Sequence, residues 1–158
     1  MEIGVLVVTV LLTTLSTGVY YCFSTSINWS LHRLKDRDYL QTMQYINQVI
    51  QNPLFLLPFM LPVVLLPFVT FAYGGEMASL KFILLAIASL FYIFGMFGIT
   101  MAGNVPLNVR LDHVDLKSAD AELKEVREWY EKPWNRLHTL RTLTGVVSVI
   151  CLTWAILL

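Results

Sequence analysis

A chain of 158 residues with 56% hydrophobic residues, 14% charged residues and a mean hydropathy of +0.64 is too apolar for a water-soluble globule, in which about a quarter of residues are charged. Eleven Lys and Arg balance eleven Asp and Glu, so no net field draws the chain to nucleic acid, and that class of partner is excluded. The length suits one domain, residues 1–158, whose solvent is lipid.

Four stretches, residues 3–32, 39–75, 82–109 and 142–158, hold no formally charged residue. A helix crosses a hydrocarbon core of roughly 30 Å with about 20 apolar residues, and the predicted spans are residues 3–23, 54–71, 82–101 and 142–158. Strands are excluded because stretches of this length lack polar alternation. The first span is preceded by no basic residue and its apolar run exceeds a signal core, so it is read as a retained helix.

After span one, Tyr39, Met43, Ile46 and Ile50 recur at four- and three-residue steps, opposite Gln41, Gln44 and Gln48. This predicts an amphipathic helix over residues 39–51, lying at the membrane surface. Span two carries Pro53, Pro58, Pro62 and Pro67 and is expected to kink, either as a tolerated irregularity or to widen a cavity in the bundle. Span three offers Gly95, Gly98 and Ala102 as a packing face. In the following connection Leu123, Val126 and Tyr130 form a second stripe, and Asp120 and Glu122 suit a helix start near Ser118. Glu128 and Lys132 make an i,i+4 pair and Pro133 ends the run, giving a second cap helix over residues 118–132.

Ten of the eleven basic residues lie in the connections after spans one and three or at their edges. The positive-inside bias makes that side cytoplasmic, with both termini and the short 74–80 connection outside. The expected protein is therefore an all-α integral membrane protein of the cytoplasmic membrane. It is an antiparallel bundle of four transmembrane helices with amphipathic helices in its two cytoplasmic connections.

Polar residues cluster toward that side. Asn104 and Asn108 bracket Pro106; if the helix continues, both amides share a face and the carbonyl of Ala102 is freed, and otherwise they satisfy a broken helix end. Trp134, His138 and Arg141 are spaced four and three apart, on one helical face that continues to Gly145. Interfacial anchoring accounts for the tryptophan and arginine. It does not account for His138, the natural proton carrier near neutral pH. His32, His113 and His138 could instead hold a metal, although no local ligand pair exists. Cys22 and Cys151 fall at different depths and are expected as buried thiols, not a disulfide.

The runs Met43-Gln44-x-Ile46-Asn47, Asn52-Pro53-Leu54-Phe55-Leu56, Asn104-Val105-Pro106-Leu107-Asn108, Trp129 with Trp134-Asn135, and His138-x-x-Arg141-Thr142 resemble the anthrone-oxygenase-like family of small four-helix membrane proteins. The resemblance covers nearly the whole chain. It implies a four-span bundle and oxidation of anthrones to anthraquinones by molecular oxygen without a dedicated cofactor. On this reading His138 is a base, and Asn104, Asn108 and Arg141 donate to the developing oxyanion. Trp134, Trp129, Tyr20 and Asn47 are the expected substrate-binding residues, and the expected partners are membrane lipid and a lipophilic anthrone- or quinol-like aromatic. Two other readings stay open: an accessory or assembly subunit of a larger membrane complex or homo-oligomer, and a lipid or small-molecule transporter, the latter weakened by the absence of charge deep in the spans.

Overall fold

The structure, a computed structural model, describes residues 2–76 and 79–158. Part of the 74–80 connection, residues 77 and 78, therefore lies outside the described residues. Four helices are long and apolar enough to cross a membrane: α1 (Ile3–Leu31), α3 (Pro53–Ala72), α4 (Leu80–Asp112) and α5 (Asp120–Leu157). Between α1 and α3 runs α2 (Asp36–Val49). No strand occurs among the described residues. The four long helices form an antiparallel ring in which α1 touches α3 and α5, and α4 touches the same two.

Two cores stack along the bundle axis. The larger, with Leu6, Leu66, Leu85, Tyr92, Met96 and Leu152, fills the four-helix part. The smaller, with Leu31, Tyr39, Leu40, Met43, Leu111, Leu123 and Tyr130, fills the end capped by α2. The apolar stripe of α2 is thus spent largely on protein. Tyr39 and Met43 are buried, and Gln44 donates to the carbonyls of Leu111 (2.9 Å) and Val114 (3.1 Å), at and just past the end of α4. Burial, followed by the nearby Glu131 carboxylate, raises the Tyr39 phenol above its ordinary value, so the ring stays neutral beneath the guanidinium of Arg127 at 4.5 Å.

Pro133 does not end a helix. The second cap helix and the fourth span are one 38-residue helix, because Tyr130 and Trp134 on either side of the proline are both held in the capped core and their packing offsets the missing backbone bond. Glu128 and Lys132 form no ion pair among the described residues; Arg127 and Glu131, also four apart, do so at 2.7 Å. Cys22 is exposed and Cys151 half-buried, and both are free thiols.

The packing face of α4 also differs from the expected one. Two π turns, Phe91–Phe97 and Thr100–Asn104, take an extra residue each. Tyr92, Met96, Thr100 and Asn104 are consequently all buried at a constant spacing of four, where a regular helix of 3.6 residues per turn would rotate them away. Ala102 is exposed. Gly95 keeps its packing role: a Cβ there would lie 2.5 Å from that of Thr144 on α5. Gly95→Val should accordingly push α4 off α5 and cost about 1–3 kcal/mol, measured as a lowered midpoint of unfolding in detergent, whereas Gly4→Ala, with open space around it, should change little.

Candidate active site

Between the two cores lies a cavity of about 350 Å³, lined mainly by apolar side chains from all five helices. Its closed end is built on α5. Trp134, His138 and Arg141 share one buried face, as their spacing predicts. The imidazole of His138, 1% exposed, stacks on the Trp134 indole with ring centres 4.9 Å apart and planes 6° from parallel.

Both nitrogens of His138 are committed. Nε2 lies 3.0 Å from the carbonyl oxygen of Tyr20, which only accepts, so Nε2 carries the proton. That carbonyl sits one turn before the π turn Phe23–Ile27 of α1, and wide turns release carbonyls of the helix ladder to side-chain donors. Nδ1 faces Arg141, whose Nη2 stands at 2.9 Å and Nε at 3.3 Å. Since guanidinium only donates, Nδ1 is the acceptor and the ring is neutral.

Arg141 is 5% exposed. Its Nη1 donates to Thr100 Oγ1 at 3.3 Å, while the Thr100 hydroxyl donates to the Met96 carbonyl at 2.6 Å. The guanidinium carbon lies 4.3 Å from the centre of the Tyr20 ring and 5.1 Å from that of Trp134. None of the described ion pairs includes it. A buried cation held by aromatic faces, a neutral imidazole and a hydroxyl is unusual, because burial without a counter-charge costs several kcal/mol. It is an arrangement ready for an anionic oxygen.

Asn108 lines the cavity as well. Its Oδ1 accepts from the Tyr130 hydroxyl at 3.0 Å and from Trp134 Nε1 at 2.9 Å. These two donors fix the amide orientation and leave its NH2 group with no bond among the described residues. Asn47 lines the same space and donates to Asp112 Oδ1 at 3.4 Å; Tyr20 completes the wall beside Phe55 and Phe59, with ring centres 6.2 Å away from each.

Two expected site residues lie elsewhere. Asn104 is fully buried, is not part of the lining, and donates to the backbone carbonyl of Trp134 at 3.2 Å rather than to the Ala102 carbonyl. It braces α5 against α4. Trp129 is outside the cavity, beneath the guanidinium of Arg110 at 4.1 Å. The three histidines do not converge. His32 pairs with Glu131 at 2.8 Å on the surface, and His113 bonds the carbonyl of Val109 at 2.7 Å. Among the described residues no group of three or more His, Cys, Asp or Glu is placed to hold a metal ion.

Sequence reasoning missed Thr100, Phe55, Phe59 and Tyr130. Thr100 precedes Asn104 by four and Tyr130 precedes Trp134 by four, and Phe55 belongs to the Asn52-Pro53-Leu54-Phe55-Leu56 run, so these three carried a positional signal.

Residues 52–151 match the family model described as Anthrone oxygenase. The match includes Asn104, Asn108, Trp134, His138 and Arg141, with Tyr20 and Asn47 outside it. No curated protein and no solved structure matches the chain.

Proposed function

The chain belongs to the anthrone oxygenase family, and on that premise we propose that it oxidises a flat, lipophilic, anthrone- or quinol-like aromatic with molecular oxygen, using no cofactor. The observation that carries this reading is the buried Arg141 cation, without a carboxylate partner among the described residues, bonded to a neutral His138 at the closed end of an apolar cavity.

The chemistry follows from that pair. A ketone oxygen entering the closed end takes the Arg141 Nη2 donor away from His138 Nδ1. The freed Nδ1 removes a proton from the activated CH2 across the same ring, and Arg141, with the unbonded Asn108 amide, stabilises the enolate oxygen. The electron-rich anion passes electrons to O2 and forms a carbon–oxygen bond, and the resulting peroxide takes the proton from His138. Loss of the second C–H proton as the O–O bond breaks gives a new carbonyl and water. One oxygen atom stays in the product, the other leaves as water, and CH2 supplies all four electrons, so no external reductant is required.

For topology, we place the capped end in the cytoplasm and both termini outside, supported by the ten basic residues at that end.

The test is anthrone oxidation by the purified protein in lipid nanodiscs under isotopically labelled O2, corrected for the spontaneous reaction. One labelled atom is expected in the new carbonyl. His138→Gln keeps a donor for the Tyr20 carbonyl but offers no base, and is expected to lower kcat about 100-fold or more. Turnover indifferent to that change would remove His138 from the chemistry, and turnover absent from the wild type would favour the accessory-subunit reading.

A further inference from the structure

We infer that the gap between the first half of α3 and residues 101–112 of α4 is a port open to the bilayer, through which the substrate reaches the cavity sideways from lipid, with Met60 and Met101 as its gate. The inference rests on the cavity being the substrate site.

The exposed lining residues are Leu56 and Met60 on α3 and Met101 and Val109 on α4, with Gln51 and Asp112 at the edge of the roof; the rest of the lining is buried or half-buried. At its deep end Tyr20, Phe59, His138 and Arg141 are buried. Its roof, Ile46, Asn47 and Ile50 of α2, is tied to α4 by the Asn47 to Asp112 bond and by Gln44 on the carbonyls of Leu111 and Val114. Toward the uncapped end α3 and α4 are pinned together: the Thr70 and Ser89 hydroxyls are 2.9 Å apart, the Tyr92 hydroxyl donates to the Phe59 carbonyl at 2.9 Å, and the Phe59 and Phe97 rings meet at 5.4 Å. Beyond Phe59 and Phe97 no side-chain bond joins the two helices among the described residues. The lining residues there are nonetheless exposed, Met60 by 47% and Met101 by 46%, with Leu56 and Val109 beside them.

An opening whose sides are Leu56, Met60, Met101 and Val109, with the polar Gln51 and Asp112 confined to its roof edge, on helices long and apolar enough to span a membrane, faces acyl chains along those sides. A flat aromatic concentrates in that medium, and the two thioethers, flexible and polarisable, can part around it and close behind it. The occupant is therefore a planar apolar molecule with an oxygen at its leading edge, directed to Arg141.

The experiment follows binding of a hydroxylated anthraquinone, a tricyclic ketone with no C–H left to oxidise, to nanodisc-embedded protein by stopped-flow fluorescence. Narrowing a single port slows arrival and departure alike, so Met60→Trp with Met101→Trp is expected to lower both rate constants about tenfold or more while Kd shifts less than about threefold. Leu57→Trp, exposed on the neighbouring turn but not lining the cavity, should leave both rates unchanged. Met60→Phe or Met101→Phe alone should give a smaller slowing of the same sign. Rates that stay unchanged, slow equally in Leu57→Trp, or change only through a weaker Kd would overturn the port. Weakening of dye binding by Arg141→Met would in those cases leave the site reading standing, whereas no dye binding to wild type would overturn both.

Discussion

Arg141→Met is expected to abolish oxygen-dependent turnover, by about 100-fold or more, while leaving the protein as stable as the wild type or more so. The two halves have one cause. The guanidinium is buried against two aromatic rings, one imidazole nitrogen and one hydroxyl, with no carboxylate among the described residues paired to it to offset its desolvation. Cation–π contacts return about 0.5–2 kcal/mol each, and the burial of a lone cation costs several. Methionine fills much of the same space without charge, at the expense of about 1–3 kcal/mol for leaving His138 Nδ1 without a donor. A structural arginine would behave in the opposite way, losing stability with its bonds. Unfolding midpoints and anthrone turnover measured in the same lipid separate the cases: a variant that turns over normally but melts well below wild type would make Arg141 a structural residue. Arg141→Lys keeps the charge but cannot fork between Nδ1 and Thr100, and should lose most of the activity too.

Arg127→Ala carries the largest expected loss of stability, about 3 kcal/mol. Its guanidinium reaches four acceptors: Glu131 Oε2 at 2.7 Å, the carbonyls of His32 and Leu34 at 2.8 Å each, and Asp36 Oδ1 at 3.0 Å. It thereby closes the end of α1, the start of α2 and the first third of α5 on one side chain. Asp36 is partly open to solvent, which screens that pair and keeps the figure toward the low end of values for buried pairs. Arg127→Lys should recover less than half, since an ammonium cannot serve four acceptors in one plane. Because α2 roofs the cavity, the alanine variant should also bind the anthraquinone dye more weakly. A drop in stability below about 1 kcal/mol would show that packing of Tyr39 and Tyr130, not the ion network, holds the cap.

The four spans were legible because lipid imposes a requirement that sequence cannot hide: about 20 residues without charge, with every backbone group bonded within the helix. The shared face of Trp134, His138 and Arg141 was legible for a similar reason, since spacings of four and three need only the period of one helix. Helix ends were not. α1 and α4 continue past the expected limits at residues 23 and 101 to Leu31 and Asp112, and α5 runs through Pro133, because the capped core rewards helix where hydropathy no longer does. The small-residue face on α4 held at Gly95 but not at Ala102, for a related reason. Two π turns change the period that the reading assumed, and partners across the bundle select such turns.

Around the cavity, residue types pointed to a neighbourhood and tertiary structure decided which side chains meet there. Asn104 and Asn108 look equivalent in sequence, yet one braces the Trp134 carbonyl and the other lines the cavity with an NH2 group that makes no bond among the described residues. Tyr20, near the end of span one, lies in the first helix and its aromatic ring carries the Arg141 guanidinium. By itself the sequence determined a four-span helical bundle and the helix face bearing histidine and arginine, because hydrophobic burial and helical period are local properties of the chain. Which histidine nitrogen bears the proton, that the arginine pairs with no carboxylate among the described residues, and which side chains line the cavity were decided only by tertiary structure, because each depends on groups from helices tens of residues apart meeting in space.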